Sequence, residues 1–364
     1  MDVGLGPLEP TGPGTATVTR MAMSAIPATT FLGRTSDRTV PRNPDPGVSA
    51  QNPSKSNPCQ ERGKLRRQTY PVNGALDLRR TLVPLAHGHR DQTIRFATGR
   101  AWRATRTADG PAAIALVHAG DELSAEAWGP GAQRALADVP ALLGLQGEPV
   151  PIPPRHPLVA QLARRNTGIR VPRTGAVLES LVPAILEQKV TGQEAWRAWA
   201  GLIRVHGEPA PGPAEWRLRL GPSSATLAGL PYYAYHPFGI ERRRADLIRR
   251  VASRAAWFEA IVDLPLPDAY ARLTAVPGIG PWTAAEVGVR ALGDPDAVSV
   301  GDFHLPSLVS YALAGEPHGD DARMLELLEP FRGQRARVVR LLELSGVRPA
   351  RHAPRLSPRR IEEM

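Results

Sequence analysis

Leu273-Thr274-Ala275-Val276-Pro277-Gly278-Ile279-Gly280-Pro281-Trp282-Thr283-Ala284-Ala285 is the stretch on which the reading of this chain turns. An apolar helical pattern stops, two glycines bracket one isoleucine, and a new helix opens with proline at its first position. Glycine tolerates positive φ and places no Cβ between the backbone and a ligand. The N–H groups of such a turn and of the following helix start are free to hold a phosphate. Pro277, Gly278, Ile279 and Gly280 are therefore the expected DNA-backbone hairpin, gripping phosphate without reading sequence. The plain alternative is a corner between two helices with glycine caps.

Downstream lies Asp294-Pro295-Asp296-Ala297-Val298-Ser299-Val300-Gly301-Asp302-Phe303-His304-Leu305, in which Asp302 follows Gly280 by 22 residues (302 − 280). Asp302 precedes an apolar run that begins at Leu305, so it could simply cap a helix. Near the C1′ of a departing nucleotide, the same carboxylate would stabilise the positive charge building on the sugar. A cap fixes the rotamer that catalysis needs, so the two roles are compatible. Asp294 and Asp296 read as turn residues.

The glycine hairpin and the spaced aspartate together resemble the helix-hairpin-helix-GPD superfamily of DNA glycosylases, and within it the 3-methyladenine glycosylase II branch. The resemblance extends over residues 70–348 and is strongest from Leu178 onward. It implies Asp302 as the essential carboxylate and an aromatic base pocket that includes Trp282, whose indole would stack on a cationic alkylated purine. The alternative for Trp282 is core packing. The branch has another pocket aromatic four residues on, where this chain has Glu286, and its late pocket tryptophan falls near Arg340. A less aromatic, more polar pocket follows. Gln188 and Lys189, in Ala184–Thr191, resemble the loop that fills the gap left by a flipped base; otherwise they form a solvated helix end.

Bifunctional relatives carry a Schiff-base lysine where this chain has Trp282, and the whole sequence holds only Lys55, Lys64 and Lys189. Water is the expected nucleophile and lyase chemistry is not expected. The single cysteine, Cys59, excludes an internal disulfide and any four-cysteine zinc or iron–sulfur site. His87-Gly88-His89 is too bare for a metal centre, and Tyr232-Tyr233-Ala234-Tyr235-His236 reads mostly as packing. No organic cofactor is implied; the resemblance implies a monovalent metal ion on the hairpin carbonyls.

Among the 364 residues, Lys and Arg total 45 against 35 Asp and Glu, a net charge of +10 that points to an anionic partner such as nucleic acid. Damaged double-stranded DNA is the expected partner, with the chain acting as a monomer. No apolar run spans a bilayer, and Met21–Leu32 is too short and polar for a secretory signal, so a cytoplasmic location is expected.

The expected fold class is α+β, a small antiparallel sheet domain followed by a two-lobed helical domain. Residues 1–67, rich in Pro, Gly, Ser and Thr, read as a disordered tail, and Met21 or Met23 could serve as the start. Residues 68–148 hold the sheet, with Asp77 capping a helix over 78–85 and strands over 93–98, 101–107, 112–118 and 123–128. Residues 149–348 are helical, with helices over 156–164, 174–190, 192–206, 240–257, 267–275, 281–292, 305–314, 321–328 and 334–344. Residues 349–364 form a basic tail. Two rival functions stay open: a glycosylase for another damaged base such as an oxidised purine, and a non-catalytic helix-hairpin-helix DNA-binding protein.

Overall fold

Five antiparallel strands, β1 (Arg66–Pro71), β2 (Ile94–Ala97), β3 (Arg100–Thr107), β4 (Gly110–Ala119) and β5 (Glu122–Trp128), form a sheet of order β1-β5-β4-β3-β2 in the computed structural model. The structure describes residues 65–147 and 150–349. The tail over 1–64, with Cys59, Lys55 and Lys64, and the basic residues from 350 onward lie outside the described residues. The four strands read from the sequence are present. β1 was not expected. It pairs with β5 from Arg66↔Ala127 to Pro71↔Glu122, so the boundary drawn at 67 falls inside a strand.

β1 is buried only at Tyr70, so its residues carry no alternating pattern to betray it. Tyr70 donates its hydroxyl to the Leu136 carbonyl at 2.5 Å, and burial pushes that phenol up to about 12. One face of the sheet packs Ile114, Leu116, Leu123 and Ala125 against α1 (Leu78–Leu82) and α2 (Ala132–Ala137). The Asp77 carboxylate caps α1 through Arg80 N at 2.8 Å, as its sequence position suggests. Ala104 and Ala113 on the opposite face are covered by Leu220, from a two-stranded ribbon of Glu208–Pro209 and Arg219–Leu220, and by Leu218 just before it.

The helical part has two apolar cores. The first gathers α4 (Val177–Leu186), α5 (Gly192–His206), α6 (Arg242–Ser253), α7 (Leu266–Thr274) and α8 (Pro281–Val287); α3 (Pro157–Arg165) belongs to the other. That second core joins α3 to α9 (Leu305–Ala314), α10 (Asp321–Leu328) and α11 (Arg335–Ser345). The fold is thus α+β with a two-lobed helical body.

The helix expected over 78–85 ends at Leu82 and tightens into a turn over Val83–Leu85, and three expected helices of the helical part are also shorter than their apolar patterns. α4 starts at Val177 because the Glu259 carboxylate takes the amides of Val177 and Leu178 at 2.7 and 3.0 Å, a cap from a distant element. It ends at Leu186, before Lys189 turns left-handed at φ +56°. The 240–257 pattern breaks at Arg254. α8 widens after Val287 into a looser turn over Gly288–Leu292. In contrast, α5 runs over its expected residues because Thr191 and Glu194 form a reciprocal capping box. Among the described residues, no helix is long and apolar enough to cross a membrane.

Candidate active site

α7 and α8 are the two arms of the hairpin. Ile279 is 3% exposed and pins the turn into the first core. Gly278 sits at φ +99°, and a Cβ there would lie 2.9 Å from Leu247 Cδ2, so this position favours glycine both for its backbone and for its space. Gly280 has extended backbone and caps α8 with Pro281 at the first position. A Cβ at Gly280 would meet nothing within 4 Å, so the face above it is open. Two side chains brace the turn from other elements. Arg250 Nη1 donates to the Pro277 carbonyl at 3.1 Å, and Gln188 Nε2 donates to the Gly278 carbonyl at 3.0 Å and to Thr283 Oγ1 at 2.9 Å.

Trp282 follows directly on α8. Its indole Nε1 donates to Asp302 Oδ2 at 3.1 Å, so these two residues are brought together across the junction of the two helical cores. Asp302 Oδ1 accepts from His304 N at 2.8 Å and Leu305 N at 2.9 Å, the free amides that open α9. Asp302 is therefore a cap, as one reading of the sequence has it, but only Oδ1 is engaged in capping. Oδ2 keeps acceptor capacity beyond the single indole bond. The loop before it is pinned by Gly301 N on the Asp321 carboxylate at 3.0 Å. Phe303, beside Asp302, is 82% exposed.

Glu286, one turn beyond Trp282, is not free. Arg290 and Ser299 both donate to its carboxylate. Arg290 in turn reaches the Pro84 carbonyl at 2.9 Å, joining the helical body to the sheet domain. Glu187 lies on the same seam. Burial pushes its carboxyl up, yet hydrogen bonding to His87 and the charge of Arg290 outweigh that and hold it below the ordinary carboxylate range. His87 Nδ1 is 3.4 Å from Glu187 Oε1 and its ring meets Trp199 edge-on, so this histidine is a buried structural partner.

Glu343, on α11, was not singled out by sequence reading. Desolvation by the surrounding protein pushes its carboxyl above the ordinary range, although the side chain is 43% exposed and the effect is correspondingly weak; Arg340 at 3.1 Å only partly offsets it, and the negative charge of Glu286 acts in the same upward direction. Arg340 carries a buried Nε with no partner among the described residues. Where the resembling branch has aromatic rings, this chain thus has a charged group of Glu286, Arg290, Arg340 and Glu343. The Glu286–Arg290 pair, four residues apart, and the Arg340–Glu343 pair, three apart on α11, have helical spacing in the sequence; the meeting of the two pairs does not show there.

Asp294 and Asp296 behave as turn residues. Asp294 accepts from Tyr270 Oη at 2.6 Å and Asp296 N at 2.8 Å. Asp296 takes Gly333 N at 2.7 Å, Arg335 N at 3.0 Å and the Arg335 guanidinium at 2.8 and 2.5 Å. Tyr235 is fully buried and donates to the Leu227 carbonyl at 2.7 Å, whereas Tyr232 and Tyr233 are exposed, so packing accounts for one of the three tyrosines. Lys189 is exposed.

No known family profile matches the chain. In sequence it is 32% identical over 139 residues to a protein of Mycobacterium tuberculosis described as a probable bifunctional transcriptional activator/DNA repair enzyme AlkA, in two strains. That match covers 38% of this chain, and the chain spans 28% of the length of these curated relatives. In structure it is similar to the 3-methyladenine DNA-glycosylase of Archaeoglobus fulgidus, with a TM-score of 0.64 at 19% identity over 76% of this chain and 97% of that one. It is also similar to the 8-oxoguanine glycosylase/lyase of Clostridium acetobutylicum in complex with double-stranded DNA, with a TM-score of 0.56 at 14% identity over 73% of this chain and 90% of that one. In local sequence and in fold, the chain resembles the helix-hairpin-helix-GPD DNA glycosylases, 3-methyladenine glycosylase II among them.

Proposed function

We propose that this chain is a monofunctional DNA glycosylase that flips alkylated purines of the 3-methyladenine and 7-methylguanine type out of duplex DNA and hydrolyses their N-glycosidic bond. The observation that carries the proposal is the half-engaged carboxylate of Asp302, oriented by Trp282 and by two backbone amides beside an open glycine hairpin.

The turn over Pro277–Gly280 holds a phosphate on the Gly278 and Gly280 N–H groups, since Ile279 N is bonded to the Val276 carbonyl, aided by the positive end of α8. Gln188 is committed to the hairpin, so Lys189 is the side chain with room to enter the stack behind the flipped base. Its left-handed backbone costs about 1–2 kcal/mol, a strain that suits a residue held for function. The extruded purine faces Trp282. As the bond between C1′ and the purine nitrogen breaks, its electron pair leaves with the base. A cationic alkylated purine departs neutral, so no acid is required. Positive charge builds on the sugar and Asp302 Oδ2 stabilises it. Water then bonds to C1′ and its proton passes to the carboxylate or to solvent.

A monovalent cation is the one non-protein group implied. The Pro277 and Gly278 carbonyls each keep a lone pair after accepting from Arg250 and Gln188, so they fit such an ion. Bound there it would stiffen the turn and supply charge toward phosphate.

The glycosylase/lyase alternative lacks its amine. Trp282 stands where a Schiff-base lysine would be, and Lys189 is the only lysine among the described residues. The decisive assay incubates the protein with alkylated duplex DNA and identifies released bases. Release of 3-methyladenine supports the proposal; release of 8-oxoguanine alone, or DNA binding with no release, would replace it with one of its two rivals.

A further inference from the structure

Arg90, Arg197 and Arg204 line one cavity of about 230 Å³, together with Gly201, Pro237 and Phe238. None of these three guanidiniums has a hydrogen bond, ion pair or ring contact among the described residues. Arg103, Arg106, Arg290, Arg323 and Arg335, by contrast, are held by carboxylates. Arg197 and Arg204 lie seven residues apart on α5, two turns along one face. Arg90 reaches them from the loop after α1, whose Gly88 packs against the Trp196 ring so closely that a Cβ there would lie 2.9 Å from Cγ. The Phe238 ring rests on Gly201, where a Cβ would come within 2.6 Å of Cδ1, and forms an apolar floor. Three mutually repelling cations are thus held together with no anion between them.

We propose that this cavity is a second DNA contact, in which Arg90, Arg197 and Arg204 hold phosphates of the duplex flanking the flipped nucleotide. The inference rests on the glycosylase reading and extends its footprint. α5 starts directly after the gap-filling loop, with Thr191 as its cap. At 1.5 Å per residue, Arg197 lies about 12 Å beyond Lys189, and Arg204 about 10 Å further. At 3.4 Å per base pair along a strand, that reach corresponds to about four to six base pairs from the lesion. Guanidiniums suit phosphate because their planar fork pairs two donors with two oxygens. A contact of this kind positions the duplex and reads no sequence.

The test compares the full chain with Arg90→Ala/Arg197→Ala/Arg204→Ala, and with Arg197→Lys/Arg204→Lys, on two lesion-bearing duplexes. One is a loop-closed duplex with about three base pairs on each side of the lesion, and the other has about ten. On the long duplex, the alanine variant should bind about tenfold or more weakly and lose roughly one unit of salt slope per guanidinium removed. The lysine variant should keep most of the slope. On the short duplex, all three proteins should match, and melting temperatures and excision at saturating enzyme should be unchanged. An alanine variant that binds the long duplex with the parent's affinity and salt slope would overturn the inference. So would an equal loss on both duplexes. If a deoxynucleoside monophosphate raised the melting temperature of the parent alone while DNA binding stayed unaffected, the cavity would be a small-anion site instead. A parent that binds DNA while the three arginines prove immaterial sinks this inference only; a parent that binds no DNA sinks the glycosylase reading with it.

Discussion

The Asp302 turn and the Asp296 turn begin as the same device. Each places an aspartate where a helix starts, and each satisfies backbone amides that would otherwise lack partners. They differ in what is left over. Asp296 takes three donors on Oδ1, from Gly333 N, Arg335 N and Arg335 Nε, and its Oδ2 closes an ion pair with Arg335 Nη2. Asp302 gives one oxygen to two amides and holds only an indole N–H on the other. Asp296 joins its turn to α11, and its chemistry ends there. The Asp302 carboxylate is fixed in direction and still able to accept. A candidate catalytic carboxylate differs here from a structural one in that its charge meets only a neutral indole, not a guanidinium that already neutralises it.

Exchanging each carboxylate for its amide should separate the two turns. Asp302→Asn keeps an oxygen for both amides, so the fold and duplex binding should survive. Excision should fall roughly 10²-fold or more, about 2.7 kcal/mol of transition-state stabilisation, measured under single turnover. Asp296→Asn should leave excision by folded protein intact and lower stability by about 2 kcal/mol, read from denaturant unfolding. That second effect depends on pH. Burial pushes the Asp296 carboxyl up, but Arg335 and the Gly333 amide outweigh it and hold it below the ordinary range. Its contribution is present above the unfolded pKa and lost as pH falls through the lower folded value. The parent's margin over Asp296→Asn should therefore shrink in acid.

Two smaller effects sharpen the Asp302 side. Gly278→Ala forces an L side chain to φ +99° and crowds Leu247, so the phosphate grip should loosen. Duplex affinity should drop about tenfold, roughly 1.4 kcal/mol, with the salt dependence retained. Trp282→Phe keeps an aromatic face but removes the donor to Oδ2. Excision should slow by about 1 kcal/mol, roughly fivefold, and a rate equal to the parent's would show that the indole bond does not orient the carboxylate.

The Asp302 turn was legible in the sequence because its parts are local. The glycines, the proline after them and the aspartate before an apolar run each act within a few residues. Groups joined from afar were not legible. Glu179 accepts from Arg103, Thr105 and the Arg106 amide more than 70 residues away, tying sheet to helices. Glu187 meets His87 across 100 residues. No periodicity marks such partners, because each pairing follows from the tertiary fold. β1 escaped for a related reason: most of its side chains face solvent, and its place comes from β5. Helix starts were misplaced where the cap arrives from another element, as Glu259 does for α4.

In the proposed reaction, water directed by Asp302 releases the base and leaves the strand whole. One experiment addresses it: alkylated duplex is incubated with the parent or with Asp302→Asn, then divided between borohydride trapping and a denaturing gel run with and without alkali. The parent should produce abasic sites that break only in alkali, with no trapped protein–DNA adduct, and Asp302→Asn should produce few sites in the same time. Abasic sites forming at the parent's rate in Asp302→Asn would contradict the assignment of Asp302. A borohydride adduct that disappears in Lys189→Ala would make Lys189, not water, the nucleophile.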